Sequence, residues 1–169
     1  MKLIAAAILV LGGGYIGILF ASGLAIRVNQ IEEMRLALMR MSFNISFLKM
    51  PVKEALASAA KTSKGGIYRL LVDAADMINN GLSPGCAWER AILKNRSHLC
   101  LKSSDTDILN EFANNLGRGD TENEINNIKA TCAKLSLTQT TAEGERDSKG
   151  RVWKGAGVLA GMFVAVLLF

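Results

Sequence analysis

Charged and uncharged positions are segregated along this chain before any finer periodicity is considered. Residues 3–26 are 24 consecutive positions without a charge, and residues 155–169, GAGVLAGMFVAVLLF, are fifteen more. As a helix the first run would reach about 36 Å, enough to cross roughly 30 Å of hydrocarbon. The second reaches about 22 Å alone, and about 27 Å if Val152 and Trp153 join it, with Trp153 at the interface and Lys154 snorkelling to the headgroups. Gly13 and Gly17 fit the G-x-x-x-G spacing that lets helices approach in lipid. The pattern predicts a transmembrane helix over 1–26, a polar domain over 27–154 and a second transmembrane helix over 155–169. Two competing readings exist. Met1-Lys2 with Ala21-Ser22-Gly23 could form a cleaved signal peptide, although the apolar run exceeds the usual h-region. The C-terminal run could instead be a buried helix of a soluble protein.

Inside the polar domain the period is helical. Ile31, Met34, Leu38, Met41, Ile45 and Leu48 advance by 3, 4, 3, 4, 3, a stripe on a helix continuing from the first span. Pro51 opens a second helix with a small face of Ala55, Ala59 and Ala60. Gly65-Gly66 breaks the chain, and a third helix over 67–79 puts Leu70, Leu71, Ala74, Ala75 and Ile78 on one side before closing at Asn80-Gly81. Ser83 as cap and Pro84 at the first helical position start a fourth, carrying Cys86, Ala87, Ala91, Ile92 and one edge of Trp88 inward. A fifth begins near Ser104-Asp105, buries Ile108, Leu109, Phe112 and Leu116, and stops at Gly117. Thr121 with Glu124 reads as a capping box for a sixth, with Ile125, Ile128, Cys132 and Leu135 inward; it can run on toward the second span, with Gly144 and Gly150 as possible hinges. The expected fold is all-α: an antiparallel bundle of about six helices with one core, flanked by the two transmembrane helices.

Composition supports this class. Two prolines, ten aromatics and a mean hydropathy of +0.23 in 169 residues disfavour a sandwich or barrel and exclude disorder. Charge then sets orientation. Residues 27–154 hold 19 of the 20 Lys and Arg and all 15 Asp and Glu. Arg27, Arg35 and Arg40 follow the first span, and Arg146, Lys149, Arg151 and Lys154 precede the second, so the domain should face the cytoplasm, with Arg27, Arg151, Trp153 and Lys154 at the membrane interface. Near anionic headgroups each basic residue contributes about 1 kcal/mol, which accounts for the pI near 9.3 without nucleic acid. Basic and acidic residues are interspersed rather than clustered with stacking aromatics, which argues against a nucleic-acid partner.

Catalytic chemistry finds little support. Cys86, Cys100 and Cys132 have no C-x-x-C spacing, His98 is the only histidine, and no glycine cluster is followed by the G-K-[ST] of a phosphate loop. No metal, cofactor or small-molecule substrate is expected. The pairs Glu32-Glu33 and Asp105-Asp107 read as surface charges. The most distinctive soluble stretch is the turn from Leu116 to Glu124. It is either a plain helix stop and restart or a docking surface in which Arg118, Gly119, Asp120 and Glu124 meet a cytoplasmic partner.

With these residues in place, the whole chain resembles the stage III sporulation protein AB family of endospore-forming bacteria. Leu116-Gly117-Arg118-Gly119-Asp120 with Glu124 is similar to the family's L-G-x-S-D-x-x-x-Q pattern, Gly119 standing at the serine and Glu124 at the glutamine. The run from Arg151 through Trp153 and Lys154 to Gly161 is similar to its basic-aromatic step into an L-G-x-L-x-G membrane end, with Ala156 at the leucine. Ala87-Trp88 after Ser83-Pro84-Gly85 is a weaker likeness. The resemblance implies a mother-cell membrane protein whose domain is similar to the cytoplasmic domain of the F-type platform protein of type II secretion. It implies a non-enzymatic role linking a secretion-type ATPase, the sister protein AA, to other membrane proteins of a channel between mother cell and forespore. The competing function is a secreted or envelope-tethered helical interaction protein with a signal peptide.

Overall fold

A computed structural model describes residues 2–167, with side chains described over 18–150 and at positions 12, 15, 152, 156, 159 and 163. Among the described residues there is no strand. Six α-helices follow in order: α1 (Lys2–Ser46), α2 (Val52–Thr62), α3 (Gly65–Asn79), α4 (Pro84–Lys94), α5 (Ser103–Asn115) and α6 (Thr121–Leu167), with one 3-10 turn at Arg96–His98. The chain divides into two compact units, Asn29–Gln139 and a second made of Met1–Val28 with Thr140–Phe169. Residues 140–154, assigned to the bundle by their charge, therefore fall in the second unit.

In the unit Asn29–Gln139 the 3-4 stripe of α1 is the backbone of the core: Ile31, Met34, Leu38, Met41 and Ile45 are all buried. Leu48 departs from the expectation. α1 stops at Ser46, Lys49 takes a positive φ of 54°, and Leu48 is left exposed beyond the helix end. α2 buries Ala55, Leu56, Ala59 and Ala60 and packs on α3, as α3 does on α4 and α4 on α5; links this short fold each helix back on the one before. Pro51 caps α2 rather than joining it, its carbonyl accepting the N–H of Ala55 at 2.9 Å.

The glycine pair does not break the chain but begins α3. Gly65 has φ +57°, and the carbonyl of Lys64 accepts the N–H of Tyr68. Gly66 is required by space, since a Cβ there would collide with the backbone oxygen of His98. That oxygen belongs to a segment gripped by buried Gln30, whose Nε2 donates to His98 O at 2.9 Å while its Oε1 accepts the N–H of Cys100 at 2.8 Å. α3 buries its predicted face with Ile67 added, and ends as expected: Gly81 has φ +93°, and Leu82 N–H donates to Met77 O at 3.1 Å.

α4 turns its Ala87–Trp88–Ala91 face inward. Trp88 is wholly buried rather than edge-on, T-shaped against Phe112 with ring centroids 5.4 Å apart, and this rotation leaves Cys86 exposed and Ile92 half-buried. α3 and α4 are clipped by Asp73, which accepts from Lys94 Nζ and Asn95 Nδ2, each at 2.6 Å. Burial pushes the Asp73 carboxyl up, but those two hydrogen bonds with the charges of Lys94 and Arg69 outweigh it and hold it below its ordinary value. On α5, Leu109 and Phe112 are buried, as is Leu116 just past its end, and Ile108 is half-buried. Asp105, expected at the surface, is buried instead, because its carboxylate accepts the N–H of Lys102 at 2.8 Å and closes the start of α5. From α6 come Ile128, Thr131 and Leu135, with Ile125 and Cys132 half-buried.

In the second unit α6 is unbroken through Gly144 and Gly150, which do not act as hinges. Ala21, Val28 and Ala142 are buried there. Among the described residues no helix is long and apolar enough to cross a membrane; the side chains of 3–11 and of most of 155–169, on which the two expected spans rest, lie outside the described residues.

Candidate functional site

The turn between α5 and α6 is built from three local decisions. Leu116 is buried and ends α5; Gly117 takes φ +74°, open to glycine without strain; and Asp120 caps α6, its Oδ1 accepting the N–H of Asn123 at 2.9 Å. The capping box predicted for Thr121 is thus shifted: the cap is Asp120. Glu124 still reaches back, but to Gly117, whose N–H it accepts at 2.7 Å through Oε1. Glu124 is 3% exposed, and its Oε2 is buried without a hydrogen-bond partner among the described residues. Of the four residues singled out by sequence, Arg118, Gly119 and Asp120 are therefore presented on one exposed turn, while Glu124 stands behind it and holds its shape.

The residues expected at the membrane interface divide in the same way. Arg27 is 5% exposed, and its Nη1 lies 2.8 Å from Glu145 Oε2, which ties α1 to α6 inside the second unit. Glu145 is also 3.4 Å from Lys149, one turn further on. Arg146 pairs with Asp147 at 2.8 Å, and that hydrogen bond with the attending charge raises its pKa above the ordinary arginine value. The side chains of Arg151, Trp153 and Lys154 lie outside the described residues. Among the described residues no group of three His, Cys, Asp or Glu could hold a metal ion.

A surface that the periodicity did not single out lies between α1 and α6 in the unit Asn29–Gln139. Met39, Phe43 and Ser46 of α1, with Phe47 just past its end, face Ile125, Lys129 and Cys132 of α6 across a groove of about 630 Å³. Phe43 and Phe47 stack at 5.0 Å and are 53% and 74% exposed. The signal was present as a second apolar row at 39, 43 and 47, one position beside the buried stripe, and a helix apolar over more than one face has more than one partner. Burial raises the Cys132 thiol above its ordinary value, only partly opposed by the charge of Arg35.

Comparison with known proteins bears on the family and the fold. The family model for stage III sporulation protein AB matches residues 2–169. The stage III sporulation protein AB of Bacillus subtilis (strain 168) is 27% identical over 169 residues, covering 99% of both chains. A solved structure of a stage III sporulation protein AB superposes with a TM-score of 0.64 at 26% identity, covering 72% of this chain and 96% of that one. With a family model spanning the described helices from end to end and a solved relative of the same fold, the chain belongs to the stage III sporulation protein AB family.

Proposed function

We propose that this chain is a non-enzymatic membrane platform of a secretion-like channel complex formed in sporulation between mother cell and forespore. It links a cytoplasmic secretion-type ATPase to the membrane proteins of that complex. The domain faces the mother-cell cytoplasm, and the apolar runs 3–26 and 155–169 lie in the bilayer. The observation that carries this reading is continuity: α1 and α6 each run unbroken from the buried stripe of the domain into one of the two uncharged runs. A push or twist applied to the domain would then be delivered along two stiff rods rather than through loops. The Arg27–Glu145 pair would keep those rods in register. The exposed, unpaired thiols of Cys86 and Cys100 fit a reducing cytoplasm better than an oxidising envelope. No bond is made or broken by the chain itself.

On this reading the exposed turn Arg118–Asp120 is the contact for the ATPase. The test is recovery of the ATPase with the full-length chain from sporulating cells. Arg118→Glu leaves the cap and the core untouched, so the thermal midpoint should hold while recovered ATPase falls about tenfold, the order expected for turning one favourable charge contact into a repulsive one. Equal recovery from the variant and the wild type would remove the turn as the docking site.

A further inference from the structure

The groove between α1 and α6 carries an inference independent of the turn. Soluble surfaces seldom leave two stacked phenylalanines open together with Met39 and a half-buried isoleucine; a continuous apolar patch of this kind marks an interaction site. Its apolar anchors recur at 39, 43 and 47, the i, i+4, i+8 spacing along which a second helix can lay its own apolar ridge. The groove also has a sign. Among the described residues no acidic side chain lines it and its one charged lining residue is Lys129, on α6 one turn from both Ile125 and Cys132. The occupant that complements it brings an apolar face and one carboxylate set to meet the exposed Lys129 ammonium at the groove's edge. A second copy of the same groove offers no carboxylate from its lining, and a lipid chain offers none either, so neither complements the exposed Lys129.

We propose that this groove receives an amphipathic helix of a protein partner, with large apolar anchors packed on Phe43 and Phe47 and an Asp or Glu paired with Lys129. The aromatic stack supplies most of the affinity and the lysine fixes register and direction, the usual division between buried anchors and a complementary charge. Cys132, half-buried in the same wall with its thiol held above its ordinary value by burial, serves as packing rather than as a reactive group.

The experiment places p-benzoylphenylalanine at position 47 of the full-length chain in the sporulating host, irradiates, and maps the crosslinked peptide by mass spectrometry. The expected product joins position 47 to an amphipathic helical segment of one protein carrying an acidic residue. In a Lys129→Glu background the yield falls about tenfold, and replacing that acid by lysine in the partner restores it. A crosslink to a second copy of this chain, a lipid adduct, no adduct, or a yield indifferent to Lys129→Glu would each overturn the proposal. A crosslink from position 47 with no ATPase captured from position 118 would leave the groove assignment standing while counting against the coupling role; ATPase captured from position 118 with nothing captured from position 47 would do the reverse.

Discussion

Trp88 offers the sharpest test of the core. Its side chain has no solvent exposure and its Nε1 is buried without a partner among the described residues, while its ring is T-shaped against Phe112 with centroids 5.4 Å apart. Trp88→Phe removes two opposing things at once. The smaller ring leaves a void of roughly 35 Å³, which at about 24 cal/mol per Å³ costs about 1 kcal/mol. It also removes an unsatisfied buried N–H, whose desolvation costs about 1–3 kcal/mol in the wild type. The two offset, and the edge-to-face contact with Phe112 survives, so the net change should stay within about 1 kcal/mol of zero. Trp88→Ala loses the ring altogether and should cost about 3–5 kcal/mol. For a chain of this size each kcal/mol moves the midpoint by about 2–4 °C. Thermal unfolding of the purified full-length protein, followed by circular dichroism, should therefore separate the alanine variant by roughly 10 °C and leave the phenylalanine variant close to wild type. If Trp88→Phe lost half as much as Trp88→Ala, the indole N–H would have to be satisfied, and the packing described around α4 and α5 would be wrong.

Three further outcomes follow from named contacts. Gly66→Ala forces a Cβ onto the carbonyl of His98 and should cost about 1–3 kcal/mol, whereas Gly144→Ala, with nothing within 4 Å of its Cβ on an exposed helical face, should be neutral or gain up to about 1 kcal/mol; melts of the two variants check the contrast. Arg27→Ala and Glu145→Ala, combined in a double-mutant cycle, should give a coupling of about 1–3 kcal/mol, because the arginine is buried while the glutamate is partly wet; additive effects would mean the pair is idle. The folded-state pKa of Asp73 is depressed, so its contribution to stability is in full above the unfolded value near 3.8 and is lost as pH falls through the lower folded value. Asp73→Asn should therefore be less stable than wild type at pH 7, and the gap should shrink in acid melts below pH 4; a gap that widens there contradicts the assignment.

Much of the fold was legible because helix burial writes a period into the sequence. The 3-4 stripe from Ile31 to Ile45, the face of α3 and the Gly81 stop needed only spacing and a glycine. What spacing does not carry is long-range contact. Gly66 looked like a breaker because its real constraint, the backbone of His98 held by Gln30, is far away in sequence. Asp105 looked solvated because a cap one turn from its own carboxylate is a matter of rotamer, not of composition. At the turn, the sequence located the exposed arginine and aspartate but could not separate them from Glu124, whose side chain folds back onto Gly117. The groove was missed because Met39, Phe43 and Phe47 sit one position beside the core stripe, and the period that marks the stripe does not tell that Phe47 stands 74% exposed.

The central claim, a helical domain held on the cytoplasmic side of a membrane by both ends of its chain, stands or falls on topology. Single cysteines at the exposed positions Lys64 and Arg118, in a background lacking Cys86, Cys100 and Cys132, can be probed in intact sporulating cells with a membrane-impermeant maleimide. The account predicts labelling at both positions only after lysis. Labelling in intact cells would put the domain outside and contradict both the charge-based orientation and the coupling to a cytoplasmic ATPase.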